Sequence, residues 1–214
     1  MTFNPVLFDL DGTVIDTVAL IRESHRHAVS TVLGRDLSDE QLVAGVGKPL
    51  LEQMRAFSVD RAEELHDVYR VWNHANTERL IASYPGILEL LEDLRGAGRR
   101  MGIVTSKARD AVDLAWRSLP LEDFFDVIIT ADDGDRHKPN PDPILQALGA
   151  LGADAGGACY VGDAPFDIRA GNAAGTTTIA VTWGFFTEGA LSQEHPDRVC
   201  HSVDELRAML LGPS

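Results

Sequence analysis

Cysteine is nearly missing from this chain. Its two copies, Cys159 and Cys200, cannot build the disulfide framework on which small secreted scaffolds rely. Cys159 falls in an apolar run and reads as a small core residue. Basic residues are short as well: 19 Lys and Arg stand against 33 Asp and Glu, for a formal charge of -14. So acidic a chain lacks the footprint that neutralises phosphates, and neither nucleic acid nor an anionic membrane is expected as a partner. Long hydrophobic runs are also wanting. The only early one is interrupted by Asp9 and Asp11 and has no cationic stretch before it, so no signal peptide or membrane span is expected and the cytoplasm is the default location. Internal repeats and low-complexity tracts are not evident.

What the chain does have is apolar material in a regular order. With 44% apolar residues in 214, it can furnish one full domain and a smaller companion. Short β-type runs at 5–9, 101–105, 127–130, 159–162 and 177–181 alternate with helical patterns such as Ile87-Leu90-Leu91-Leu94 and Ile144-Leu145-Leu148-Leu151. That alternation predicts βαβ units around a parallel sheet. Asn140 before Pro141 reads as an N-cap followed by proline at the first helical position, and residues 203–211 read as a closing helix. Residues 17–83 break the alternation and show no convincing strand. Ile21, Ala28, Val29, Val32 and Leu33 mark one apolar face there, and Leu65, Val68, Tyr69, Trp72 and Leu80 another, as amphipathic helices do. The expected fold is α/β: a Rossmann-like parallel-sheet core, residues 1–16 and 84–214, with an inserted α-helical domain at 17–83. Pro85-Gly86 supplies a turn at the second junction.

The chemistry begins at Asp9-Leu10-Asp11-Gly12-Thr13. Two carboxylates two residues apart at a strand end share a face and resist joint ionisation unless a cation lies between them or one keeps a proton. A hard dication such as Mg2+ takes oxygen ligands, so the pair reads as half of a metal site with one carboxylate free for chemistry. A lone Asp-x-Asp is more often an acidic turn. Here three further elements follow in order, each after an apolar run: Thr105-Ser106, Lys138-Pro139 and Gly162-Asp163-Ala164-Pro165-Phe166-Asp167. All four fall at the carboxyl ends of expected strands, where open α/β sheets place their ligand crevices.

Taken together, these four motifs resemble those of the haloacid dehalogenase superfamily, in its phosphatase and phosphomutase branch. The resemblance implies that the helical insertion is a mobile cap that closes on the substrate. It implies that Asp9 is a nucleophile forming an aspartyl-phosphate and that Asp11 is the general acid and base. Mg2+ is then held by Asp9, the Asp11 carbonyl and Asp163. Thr105 and Ser106, at a helix start, suit a phosphate cradle. Lys138 is expected to neutralise the transferring phosphoryl oxygens and hold Asp9 ionised, and Asp167 to orient Lys138 or a metal-bound water.

The loop Gly45-Val46-Gly47-Lys48-Pro49 lies where the family carries a substrate-selecting loop, which makes Lys48 a candidate contact for the far end of a small anionic substrate. A solvated lysine in a structural loop is the competing reading. Trp183-Gly184 is similar to a feature of phosphoglycolate phosphatases and related pyrophosphatases, and equally suits a packing tryptophan. Ala164 stands where a hydroxyl residue is common. His25, His27, His66, His74 and His137 form no ligand pattern and are expected at the surface.

The expected activity is therefore Mg2+-dependent hydrolysis of a small phosphorylated metabolite, phosphoglycolate-like, through an aspartyl-phosphate. A β-phosphoglucomutase-like phosphomutase and an inorganic pyrophosphatase are the enzymatic alternatives; a phosphometabolite-binding sensor is the non-enzymatic one. A monomer or homodimer is expected.

Overall fold

The computed structural model describes residues 2–212. The chain opens with β1 (Val6–Phe8) and β2 (Ile15–Asp16), then runs through four helices: α1 (Val18–Leu33), α2 (Asp39–Val43), α3 (Leu50–Phe57) and α4 (Ala62–Leu80). It returns as β3 (Ala82–Ser83), α5 (Ile87–Gly96), β4 (Met101–Val104), α6 (Arg109–Ser118) and β5 (Val127–Ile129). It closes with α7 (Asp142–Leu151), β6 (Cys159–Gly162), α8 (Pro165–Ala174), β7 (Thr177–Val181), α9 (Glu188–Ser192), β8 (Arg198–Cys200) and α10 (Val203–Leu211).

Six strands form a parallel sheet in the order β5-β4-β1-β6-β7-β8. The chain builds outward from β1 in one direction through β4 and β5, then in the other through β6, β7 and β8. The order therefore reverses around β1, and a crevice opens there at the carboxyl ends of the strands. Strand alternation sorts the core into two layers. Val6, Phe8, Met101, Ile103, Cys159 and Val161 pack on one face with the apolar sides of α5, α6 and α10. Leu7, Val104, Ile129 and Tyr160 pack on the other with α7 and α8.

Helices α1, α3 and α4 enclose an apolar cluster of their own, including Ala28, Val29, Met54, Leu65 and Tyr69. Gly34 ends α1 in the left-handed conformation, and a capping box of Ser38 and Gln41 starts α2, both ordinary helix punctuation.

Three local expectations are corrected. Residues 17–83 do contain a strand: β3 pairs antiparallel with β2, Ile15 opposite Ser83 and Asp16 opposite Ala82, as a two-stranded strap flanking the four helices α1 to α4. Two residues are too few for a period-2 signal. Helix α7 is capped at Pro141, not Asn140, whose side-chain amide donates instead to the His137 carbonyl at 2.9 Å. His25 is fully buried rather than at the surface.

Candidate active site

Each strand of the central trio delivers one motif to the crevice. Asp9 directly follows β1, and its amide continues the sheet by donating to Val161 O at 2.8 Å. Thr105 follows β4 and donates its amide to Ile129 O at 2.9 Å. Asp163 follows β6. Lys138 arrives from the segment between β5 and α7. Asp9, Lys138, Asp163 and Asp167 are all buried, so their charges must satisfy one another or a bound ion.

Lys138 is the hub. Its Nζ lies 2.8 Å from Asp9 Oδ1, 2.6 Å from Asp167 Oδ1, 3.0 Å from the Tyr160 hydroxyl and 3.3 Å from Val104 O. Burial alone would lower the pKa of this lysine, yet the adjoining Asp167 and Asp9 carboxylates hold it well above its usual value. Asp167 is held at both ends, because its Oδ2 accepts from the Ala164 amide at 3.0 Å at the start of α8. Tyr160 reads in the sequence as one more apolar strand residue; its hydroxyl donates to Val104 O at 2.8 Å and completes the lysine's cage.

Asp163 is fixed from the other side. Thr13 Oγ1 donates to its Oδ1 at 3.2 Å and the Phe185 amide to its Oδ2 at 2.6 Å. Trp183, just ahead, donates its indole N–H to Thr13 O at 3.2 Å. The loop after β7 thus braces the metal-candidate carboxylate, a role that sequence reading missed because the Phe185 contact is made by backbone.

Asp9, Asp163 and Asp167 offer carboxylate oxygens that all lie within 4.8 Å of one another. Burial pushes the Asp9 carboxyl up to about 7 against the pull of Lys138. Burial, followed by repulsion from Asp167 and Asp9, pushes Asp163 well above the carboxylate range. An all-oxygen, electron-rich donor set under mutual repulsion fits a hard dication. With Asp167 taken up by Lys138 and Ala164, the oxygens facing the crevice belong to Asp9 and Asp163.

Asp11 points elsewhere: its carboxylate forms an ion pair with Lys107, Nζ lying 2.8 and 3.2 Å from the two oxygens. Nothing in the sequence marked Lys107 beyond its place at a helix start. Thr105 accepts from the Lys107 amide at 3.2 Å, and Ser106 Oγ donates to Gly47 O at 2.7 Å, linking the loop after β4 to the loop between α2 and α3. Helix α6 starts at Arg109 with Ala108 as its N-cap, so Thr105 and Ser106 lie ahead of the helix rather than at its start.

Above these groups lies a cavity of about 230 Å³, lined from below by Asp9, Asp11, Thr105 and Lys107 and from above by Lys48 and Tyr69. The Lys48 ammonium rests 4.9 Å above the Phe166 ring, and Arg70 on α4 pairs with Asp110 on α6. Every site residue expected from sequence therefore borders this space or supports a residue that does.

Residues 6–181 match the family model described as haloacid dehalogenase-like hydrolase. The chain belongs to that family. This haloacid dehalogenase-like hydrolase is of the phosphatase type. It is 38% identical over 209 residues to a Bacillus pumilus protein named pyrophosphatase PpaX, covering 98% of this chain and 97% of the relative. A haloacid dehalogenase-like family hydrolase from Streptococcus pneumoniae superposes with a TM-score of 0.85 at 26% identity, over 97% of this chain and 98% of the other. A predicted phosphatase from Clostridium acetobutylicum gives a TM-score of 0.88 at 28% identity over the whole of both chains. Among the described residues no helix is long and apolar enough to cross a membrane.

Proposed function

We propose that this hydrolase cleaves a small phosphorylated anion by transferring its phosphoryl group to Asp9. The observation that carries the reading is the Asp9 carboxylate itself: buried at the cavity floor, gripped by Lys138 at 2.8 Å and adjoined by Asp163. For the substrate, inorganic pyrophosphate comes first, supported by the name of the 38%-identical Bacillus relative. A phosphoglycolate-like monoester, placed first by sequence alone, comes second.

In this mechanism Asp9 attacks phosphorus and the leaving oxygen departs on the opposite side, splitting one difficult displacement into two easier ones. Asp11 gives a proton to the leaving oxygen and later takes one from the water that hydrolyses the aspartyl-phosphate. Lys138 balances charge on the transferring oxygens while orienting Asp9, and Asp167 keeps Lys138 in place. The Thr105 hydroxyl and the Ser106 amide donate to the phosphoryl group, while the Ser106 hydroxyl stays on Gly47 O. Asp9, Asp163 and the Asp11 carbonyl would hold Mg2+, which supplies the positive charge that lets a phosphate anion approach carboxylates. Residues 17–83 act as a cap domain, with Lys48 facing the part of the substrate that is not transferred.

The test is phosphate release with Mg2+ from pyrophosphate, phosphoglycolate, phenyl phosphate and β-glucose 1-phosphate, with Asp9→Asn in parallel. Release that is abolished in Asp9→Asn is the expected outcome. Undiminished release by Asp9→Asn, or isomerisation of the sugar phosphate without free phosphate, contradicts it.

A further inference from the structure

Lys107 is the cation that the four motifs leave without a task. Its ammonium spans both oxygens of Asp11, at 2.8 and 3.2 Å. The two side chains are only 12% and 13% exposed, and both line the cavity. The other cations differ in placement. Lys138 is committed to Asp9, Asp167 and Tyr160 beneath the floor. Arg70 is tied to Asp110 in an exposed pair, and Lys48 sits against the Phe166 ring.

The position follows from the proposed role of Asp11, and the inference rests on that reading. If Asp11 serves the leaving oxygen, whatever is attached to that oxygen must pass beside Lys107. A second phosphate or a carboxylate there offers the ammonium an anionic partner in place of Asp11. A neutral substituent offers none. The backbone is already pinned for this, since the Lys107 amide donates to Thr105 Oγ1 at 3.2 Å; the flexible four-carbon stem lets the ammonium turn from one anion to another while the main chain stays put.

We infer that Lys107 is a specificity-determining residue: it exchanges Asp11 for the anionic leaving portion of the substrate and so selects pyrophosphate-like and phosphoglycolate-like substrates over esters with a neutral leaving group. The exchange is one of ion pairs and breaks no covalent bond. It also releases Asp11 from its ion pair, so that its carboxyl can take up a proton from solvent and face the leaving oxygen only when a substrate of the right charge is present.

The experiment compares wild type, Lys107→Met and Lys107→Arg. Lys107→Met removes the charge and keeps the stem. For pyrophosphate and phosphoglycolate its kcat/KM should fall by about tenfold or more beyond any fall for phenyl phosphate, the size expected for one charge-assisted contact. Lys107→Arg should recover part of that discrimination. Equal losses on all substrates, or none on any, overturn the inference. Calorimetry with methylenediphosphonate and methylphosphonate provides a readout without turnover: Lys107→Met should weaken the first about tenfold and leave the second within about threefold. Equal changes, or none, overturn the inference here too. Persistent activity in Asp9→Asn would count against the aspartyl-phosphate reading alone, because the binding comparison does not depend on it.

Discussion

Gly184 lies so close to Asp163 that a methyl group on its Cα would sit 2.0 Å from the carboxylate Oδ2. Asp163 has nowhere to retreat, because it is buried and its two oxygens are held by Thr13 and the Phe185 amide. Gly184→Ala must therefore displace either the carboxylate or the loop that braces it. The Mg2+ concentration giving half-maximal activity should rise by roughly 10- to 100-fold, as for loss of support behind a metal ligand. An unchanged Mg2+ dependence would show that Asp163 is not a ligand.

Lys138 holds two carboxylates that, among the described residues, have no other cation within reach of a hydrogen bond. Lys138→Met leaves Asp9 and Asp167 buried without compensation, which costs about 3–5 kcal/mol when one partner of such a pair is removed. Denaturant titration of the metal-free proteins should show that loss, and turnover should fall below detection. A variant as stable as wild type would mean that the carboxylates are not charged in the fold.

His25 is enclosed by Phe57 at 5.6 Å and Tyr69 at 4.9 Å, and neither ring nitrogen has a hydrogen-bond partner among the described residues. Burial lowers its pKa from 6.5 to about 3. A base whose folded pKa is depressed binds more protons when unfolded, so its contribution is intact above 6.5 and is lost as pH falls toward 3. Relative to His25→Phe, wild type should lose up to about 1.4 kcal/mol of stability per pH unit in that window. Parallel stability profiles for the two proteins would contradict a buried neutral histidine.

Five sheet strands were legible in the sequence: β1, β4, β6 and β7 as near-continuous buried runs, and the edge strand β5 because its three residues are all apolar. The edge strand β8 was not, since Arg198 is exposed and only three residues pair. Asp9, Asp11, Thr105 and Asp163 declared themselves as candidates by type and by position at strand ends, and Lys138 by type and by its order after the run at 127–130, although it arrives from the segment between β5 and α7. Lys107 did not, because its meaning lies in a contact with Asp11 across 96 residues. His25 could have been found: it lies four residues beyond Ile21 and three before Ala28, on the apolar face of α1. Tyr160 and the Phe185 amide carried no such signal, one hidden in an apolar run and the other belonging to the backbone.

Gly47 adopts φ 100° in the loop that meets the start of α8, and a Cβ there would fall 2.9 Å from the Phe166 ring. Its carbonyl also accepts from Ser106. Gly47→Ala strains the backbone and wedges the loop off Phe166, so closure over the cavity should suffer. KM and kcat should change together, with kcat/KM falling about tenfold or more while the melting temperature moves little. Unaltered kinetics would mean that this contact does not belong to the working state.

The central claim is covalent transfer to Asp9, and rapid quenching during turnover of labelled substrate, followed by peptide mapping, tests it most directly. Wild type should yield an acid-stable, hydroxylamine-sensitive phosphoryl label on the peptide containing Asp9, and Asp9→Asn should yield none. A label on another residue, or sustained turnover by Asp9→Asn, would contradict the account.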